Sequence, residues 1–175
     1  MSDTSAPGSA ETANNPGPQA LPIRILGQYI RDLSFEVPHA PAIFGELRKQ
    51  APDIPVSFDC AMQPLQGSIF EVTLAVSVNA TIAGTPAFIL ELAYSATVEL
   101  DESVIPEEQL HPVLLIEVPR FIFPFVRQVI ADMTTSGGFP PLFLQPVDFT
   151  DMYTRKFGNT PIKIVRQNTP VAGSA

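Results

Sequence analysis

The clearest pattern along the chain is strict alternation of apolar and polar positions. In SIFEVTLAVSVNATI, Phe70, Val72, Leu74, Val76 and Val78 alternate with Glu71, Thr73, Ala75, Ser77 and Asn79, the period of a strand buried on one face. AFILELAYSATVEL repeats it, with Phe88, Leu90, Leu92, Tyr94, Ala96 and Val98 facing one way and Ile89, Glu91, Ser95, Thr97 and Glu99 the other. The AGTP between them is a turn, so the two strands are expected as antiparallel neighbours. IPVSFDCAM sets Ile54, Val56, Phe58, Cys60 and Met62 against Ser57, Asp59 and Ala61. Pro55 puts this strand at an edge or delays its start by one residue. IRILGQYIRDLSFEV reads as one long strand, bulged or bent at Gly27. Its expected faces are Ile23, Ile25, Gly27, Tyr29, Arg31, Leu33, Phe35 and Val37 on one side, and Asp32, Ser34 and Glu36 on the other. A turn or short helix is expected within 41–50.

Beyond residue 100 the period changes. Pro106 opens a helix with Glu107 and Glu108 in its first turn, where negative charge is favourable. Pro112 and Pro119 predict that 106–119 is short and interrupted. Over 120–136, Ile122, Val126, Val129 and Met133 recur at helical spacing, and Phe121, Phe125 and Ile130 widen the apolar arc. Gly137-Gly138 stops this main helix, FPPLFLQPV follows without a period, and Asp148 can cap a last helix, DFTDMYTRKF. The fold class is α+β: a four-stranded antiparallel sheet with a long helix and shorter helices packed on one face. The Ser-, Ala-, Gly-, Pro- and Asn-rich segment 1–21 reads as a disordered tail, 22–157 as one domain and 158–175 as a flexible tail.

Composition sharpens this picture in three ways. There are 12 Phe, no Trp and 3 Tyr, and seven of the 12 Phe fall between Phe121 and Phe157. A sheet and modest helices leave too much Phe and Ile for one shell, so subunits are expected to meet through Phe121, Ile122, Phe125, Val126, Val129 and Met133. An ordinary monomeric core is the alternative for the same arc. The net charge of −8 excludes a nucleic-acid backbone as partner, which needs a basic footprint, and permits a basic protein. The single Cys60 rules out an intramolecular disulfide scaffold and suits a reducing compartment. The N-terminus lacks a signal-peptide pattern, and no apolar run reaches the length of a membrane span.

Catalytic chemistry is hard to find. His39, His111 and Cys60 lie in different elements, so a metal site would need an accidental convergence; two turn histidines and a buried small thiol are the plain reading. Phosphate-binding and dinucleotide loops are missing, as are G-x-S-x-G and Ser-x-x-Lys. The carboxylates of DESVIPEE read as surface charge because nothing nearby desolvates one of them. A non-enzyme without cofactor or metal is expected.

Two surfaces stand out instead. The alternation turns Asp32, Glu36, Glu71 and Glu91 away from the helices, with apolar Ile89 among them, and from Glu91 to Glu108 there are six carboxylates and no Lys or Arg. This is either a solvated acidic face or a docking plate for a basic partner. In the loop after the main helix, Phe139, Leu142, Phe143, Leu144 and Val147 sit among prolines and glycines. They either form a groove for apolar segments or fold into the core or a subunit interface.

GQYIRDLSFEVPHAP at 27–41, FEVTLAVSV at 70–78, AFILEL at 87–92 and RFIFPFVRQVIADMTTSGGFPPLFLQPVDF at 120–149 resemble, in order and spacing, the SecB family of bacterial protein-export chaperones. The resemblance covers roughly 23–157. It implies an ATP-independent cytoplasmic chaperone, a homotetramer built as a dimer of dimers. Such a chaperone holds unfolded precursor proteins in a translocation-competent state and delivers them to the SecA ATPase, without inserting into the membrane. Carried over by position, the resemblance implies a SecA contact at Asp32, Glu36, Ile89 and Glu91. It also implies a client groove, for which Phe44, Phe58, Phe139, Leu142 and Phe143 are the candidates. The tail departs from the acidic or polar ends of many members: it carries Lys163 and Arg166 and no carboxylate after Asp151. The competing class is a non-catalytic adaptor or structural oligomer whose acidic sheet face binds a basic partner and whose Phe-rich loop is an oligomer interface.

Overall fold

The structure is a computed structural model that describes residues 22–158 and 162–165. The tail expected over 1–21 and most of that over 158–175 lie outside the described residues. Four strands, β1 (Ile23–Glu36), β2 (Val56–Pro64), β3 (Ile69–Ile82) and β4 (Thr85–Leu100), form one sheet in the order β1-β4-β3-β2, antiparallel throughout. The β3–β4 turn runs through Ala83 (φ 49°) and Gly84 (φ 80°), two left-handed residues of the kind a tight hairpin requires. The expected neighbours are therefore neighbours, and β2, starting just after Pro55, is an edge strand.

Pairing fixes the faces. Phe70, Val72, Leu74, Val76 and Val78 lie opposite Val98, Ala96, Tyr94, Leu92 and Leu90, and all ten are buried. The long strand β1 is bulged beside Gly27, as expected, and a second time further on, so it departs from the simple alternation. Its register with β4 slips between Ile25 and Gly27 and again between Ile30 and Asp32. Each bulge adds one residue and so reverses the facing of everything after it; two bulges restore it. Only the stretch between them is swapped. Gln28 and Ile30 pair with inward Ala96 and Tyr94, while Gly27 and Tyr29 pair with outward Thr97 and Ser95. Gly27, Tyr29 and Arg31 therefore do not share the apolar face with Leu33 and Phe35, whereas Asp32, Ser34 and Glu36 face outward as expected.

A short helix, α1 (Ile43–Leu47), follows β1. The segment expected to be short and interrupted is so, but it runs on without a loop: α2 (Glu107–Pro112), a π turn (Val113–Glu117) and α3 (Val118–Ser136) follow one another directly. Pro112 ends the first α-helical stretch, and the wider turn after it shifts the bonding so that Val118 N–H reaches the Val113 carbonyl. Pro119 is the second residue of α3, directly after the π turn. Ile122, Val126 and Ile130 are fully buried against the sheet. The last helix, α4 (Phe149–Phe157), is capped by Asp148, whose carboxylate accepts the Asp151 N–H at 3.0 Å.

α4 docks through a residue that the sequence placed in a turn. His111 lies within α2 and is buried, with Nδ1 2.8 Å from the Tyr153 hydroxyl and its ring edge-on to Phe157 at 4.9 Å. Burial lowers its pKa. Cys60 is buried, and desolvation pushes its thiol up to about 12, so it behaves as a small hydrophobe. None of the helices among the described residues is long and apolar enough to cross a membrane.

Candidate functional site

At the Gly137-Gly138 stop the chain turns over an aromatic cluster. Phe35 stacks on Phe88 (5.5 Å), Phe88 meets Phe139 (4.9 Å) and Phe139 meets Phe44 (5.3 Å). Phe139 is buried. Of the five groove candidates, Phe44 and Phe139 thus pack with this cluster rather than along an open surface. Phe58, Leu142 and Phe143 are brought together elsewhere, with Ile54, Val56, Leu144 and Val147, around a groove of about 360 Å³. Phe143 is 64% exposed, an unusual position for phenylalanine. The floor is braced by Phe123, edge-on to both Phe58 (6.1 Å) and Phe149 (5.6 Å).

The groove wall is tied to α3 by one buried hydroxyl. Thr134 Oγ1 accepts the Leu142 N–H at 3.0 Å and lies 2.9 Å and 3.0 Å from the carbonyls of Ile130 and Ala131, to which it donates. A second cavity of about 410 Å³ continues from Phe58 and Val147 toward α4, lined also by Asp59, Asp151, Met152, Arg155 and Lys156. Alternation alone did not single out Ile54, Val56 or Met152 for this role, because each also fits an ordinary core face.

The backbone beside the groove is equally relevant. Asp53 and Thr81 exchange both backbone hydrogen bonds at 2.8 Å, and Asn79 N–H donates to Pro55 C=O at 3.4 Å. With this register, odd-numbered residues of β2 bond to β3, and Val56, Phe58, Cys60 and Met62 turn their N–H and C=O groups outward. Among the described residues β2 pairs with β3 and nothing else.

The opposite sheet face carries the second candidate. Across β1, β4 and β3 the outward rows are Glu36–Ile89–Asn79, Ser34–Glu91–Ser77 and Asp32–Ala93–Ala75. Asp32, Glu36 and Glu91 thus surround half-buried Ile89 and small Ala93, with neighbouring side chains roughly 5–8 Å apart. Among the described residues none of the three carboxylates makes a side-chain hydrogen bond or ion pair. Glu71, on the same face, is different. It is 6% exposed and accepts from Tyr29 Oη, Arg31 Nη1 (2.5 Å) and Gln63 Nε2. The Tyr29 hydrogen bond, with help from Arg31, holds its pKa below the usual glutamate value against the opposing effect of burial. Glu71 is therefore a structural pin, and the open acidic surface is the other three residues. The bulge expected at Gly27 is present, but the second, between Ile30 and Asp32, has no glycine to mark it, and the strict alternation placed Tyr29 and Arg31 on the other face from Glu71.

The predicted subunit contacts also divide. Ile122 and Val126 are covered within the chain, whereas Phe121 and Phe125 are 40% and 47% exposed, and Val129 and Met133 are half-buried. β1 leaves Ile25 and Ile30 exposed on the helix side.

A family model described as "Preprotein translocase subunit SecB" matches residues 16–160. The chain is 49% identical over 148 residues to the protein-export protein SecB of Rhodospirillum rubrum, covering 85% of this chain and 89% of that protein. It is 45% identical over 141 residues to that of Paramagnetospirillum magneticum, covering 81% and 89%. A solved structure of a Mycobacterium tuberculosis SecB-like chaperone, in complex with a ChAD peptide from an antitoxin, is similar in fold. Its TM-score is 0.61 at 18% identity, covering 71% of this chain and 90% of that one.

Proposed function

The chain belongs to the SecB family of protein-export chaperones, and from that premise we propose that it holds unfolded precursors in its β2 groove, without nucleotide, and hands them to SecA in the cytoplasm. The observation that carries this reading is the apolar groove lined by Phe58, Leu142, Phe143 and Val147 beside a strand edge with outward backbone groups. Apolar side chains bind many sequences because their contacts are not directional, and an open edge suits an extended chain of any sequence. Neither interaction calls for a nucleotide. At near-equimolar tetramer, and with no nucleotide added, the protein should delay refolding of a reduced precursor; refolding at an unchanged rate overturns the reading.

SecA is assigned to the outward row of Glu36, Glu91 and Asp32, with Ile89 beside Glu36 and Ala93 beside Asp32. Three carboxylates without cations repel one another and are relieved by a basic partner, while Ile89 supplies a small apolar contact at the Glu36–Glu91 end. Glu91→Lys should weaken SecA association and leave client binding intact, because the two surfaces lie on opposite faces of the sheet. Equal loss of both points to damaged folding instead. The homotetramer is assigned to Phe121 and Phe125 of α3, flanked by Val129 and Met133, together with the uncovered inner side of β1.

A further inference from the structure

We propose that Lys156 is a strap across the open edge of β2 that sets how far an extended client can pair with it. This rests on the groove being the client site. Lys156 lies in the last turn of α4, on the helix side of the sheet. Asp59 projects from the other side, since it pairs with Ala75, which pairs with Ala93 and so stands in the row of Asp32. The Lys156 ammonium nevertheless donates to the Asp59 carboxylate and, at 3.1 Å, to the Cys60 carbonyl. The ammonium that serves both therefore sits at the strand edge, against the outward Cys60 carbonyl.

The Cys60 carbonyl is one of the outward groups of β2. The edge is therefore open at Val56 and Phe58, beside the groove, and closed at Cys60. A peptide added as a fifth strand would run about 4.8 Å from β2. At Cys60 it would find the acceptor taken and the lysine stem in its path. Lysine laid over a strand edge is a recurrent way to stop further pairing. Here the strap is placed within the binding surface, so it limits pairing to a short segment and turns the client toward Met152 in the second half of the groove. The Lys156–Asp59 pair is substantially exposed, with side chains 41% and 64% accessible, so its hold weakens with salt.

Residue-resolved amide exchange on the full-length protein tests this, with reduced, carboxamidomethylated α-lactalbumin as the unfolded probe. In the native protein the probe should slow exchange at Val56 and Phe58 and leave Cys60 and Met62 unchanged. Lys156→Ala should extend protection to Cys60 and Met62 and tighten binding about two- to tenfold, the worth of a backbone hydrogen bond or so. Lys156→Arg should keep the native pattern. Asp59→Asn, which leaves the lysine present without its anchor, should give part of the extension. The His111–Tyr153 contact holds α4 independently of Lys156, so these variants retain the fold. Protection that still ends at Phe58 in Lys156→Ala overturns the strap and leaves the groove reading standing. Bound probe with no protection anywhere on β2 overturns both.

Discussion

Thr134 is fully buried, and its hydroxyl answers the Leu142 N–H that would otherwise face α3 unpaired. Thr134→Val keeps the shape and removes the acceptor, so it should cost about 1–2 kcal/mol of stability. Because Leu142 lines the groove, client affinity should fall as well, with native mass unchanged. Urea unfolding and probe titration check the two effects separately, and Thr134→Ser should recover both. Gly137 is constrained in another way. Its φ of −78° is ordinary, but a Cβ there would lie 2.2 Å and 2.4 Å from two ring carbons of Phe35. Gly137→Ala must displace that ring from its stack on Phe88, at about 1–3 kcal/mol, which thermal unfolding measures. The sequence marked Gly137-Gly138 as a helix stop. The reason for glycine at 137 was not legible, because Phe35 approaches from a strand about a hundred residues earlier in the chain.

At the scale of elements, β3, β4 and the capped α4 were readable because each depends on near neighbours in sequence: an alternating run, a turn, a capping aspartate. The failures share a cause. The second bulge of β1, between Ile30 and Asp32, and the helical run that resumes past Pro112 through a π turn have no local marker in the sequence, and a periodicity count passes over them. The groove was half legible for the same reason: Phe44, Phe58, Phe139, Leu142 and Phe143 look alike in sequence, and only the fold decides which of them reach solvent. His111 shows what such packing does to chemistry. Burial lowers its pKa, so its contribution to stability is complete above the ordinary imidazole value and is lost as pH falls through the lowered, folded-state value. Protonation would put a charge between Tyr153 and Phe157, loosening α4. Glu71 has a lowered pKa too, but its contribution is lost only at pH below the ordinary carboxylate range, so the two separate. Between pH 7.5 and 5.5 the unfolding midpoint should fall, and in His111→Gln that pH dependence should be reduced. An unchanged slope in the variant assigns the effect to other groups.

At the scale of the whole molecule, the surplus of phenylalanine noted in the sequence is divided between two uses. Phe70, Phe88 and Phe149 are sealed in the core, while Phe121, Phe125 and Phe143 remain on the surface. Phe143 belongs to the groove; Phe121 and Phe125 stand on α3, away from it. A half-exposed phenylalanine contributes little to a single chain's core, so replacing one with a charge is tolerated by the monomer. In a subunit interface the same charge must be desolvated without a partner, at several kcal/mol, and symmetry repeats that cost at each copy. Phe125→Asp should therefore leave helix content and the cooperative unfolding of the chain largely intact. On the tetramer proposed above, its native mass should drop from about four times the 18.9 kDa chain to that of a dimer or monomer. Native mass spectrometry with circular dichroism on the same preparation decides it, and a variant that stays tetrameric would move the interface off α3, to β1 and its exposed Ile25 and Ile30.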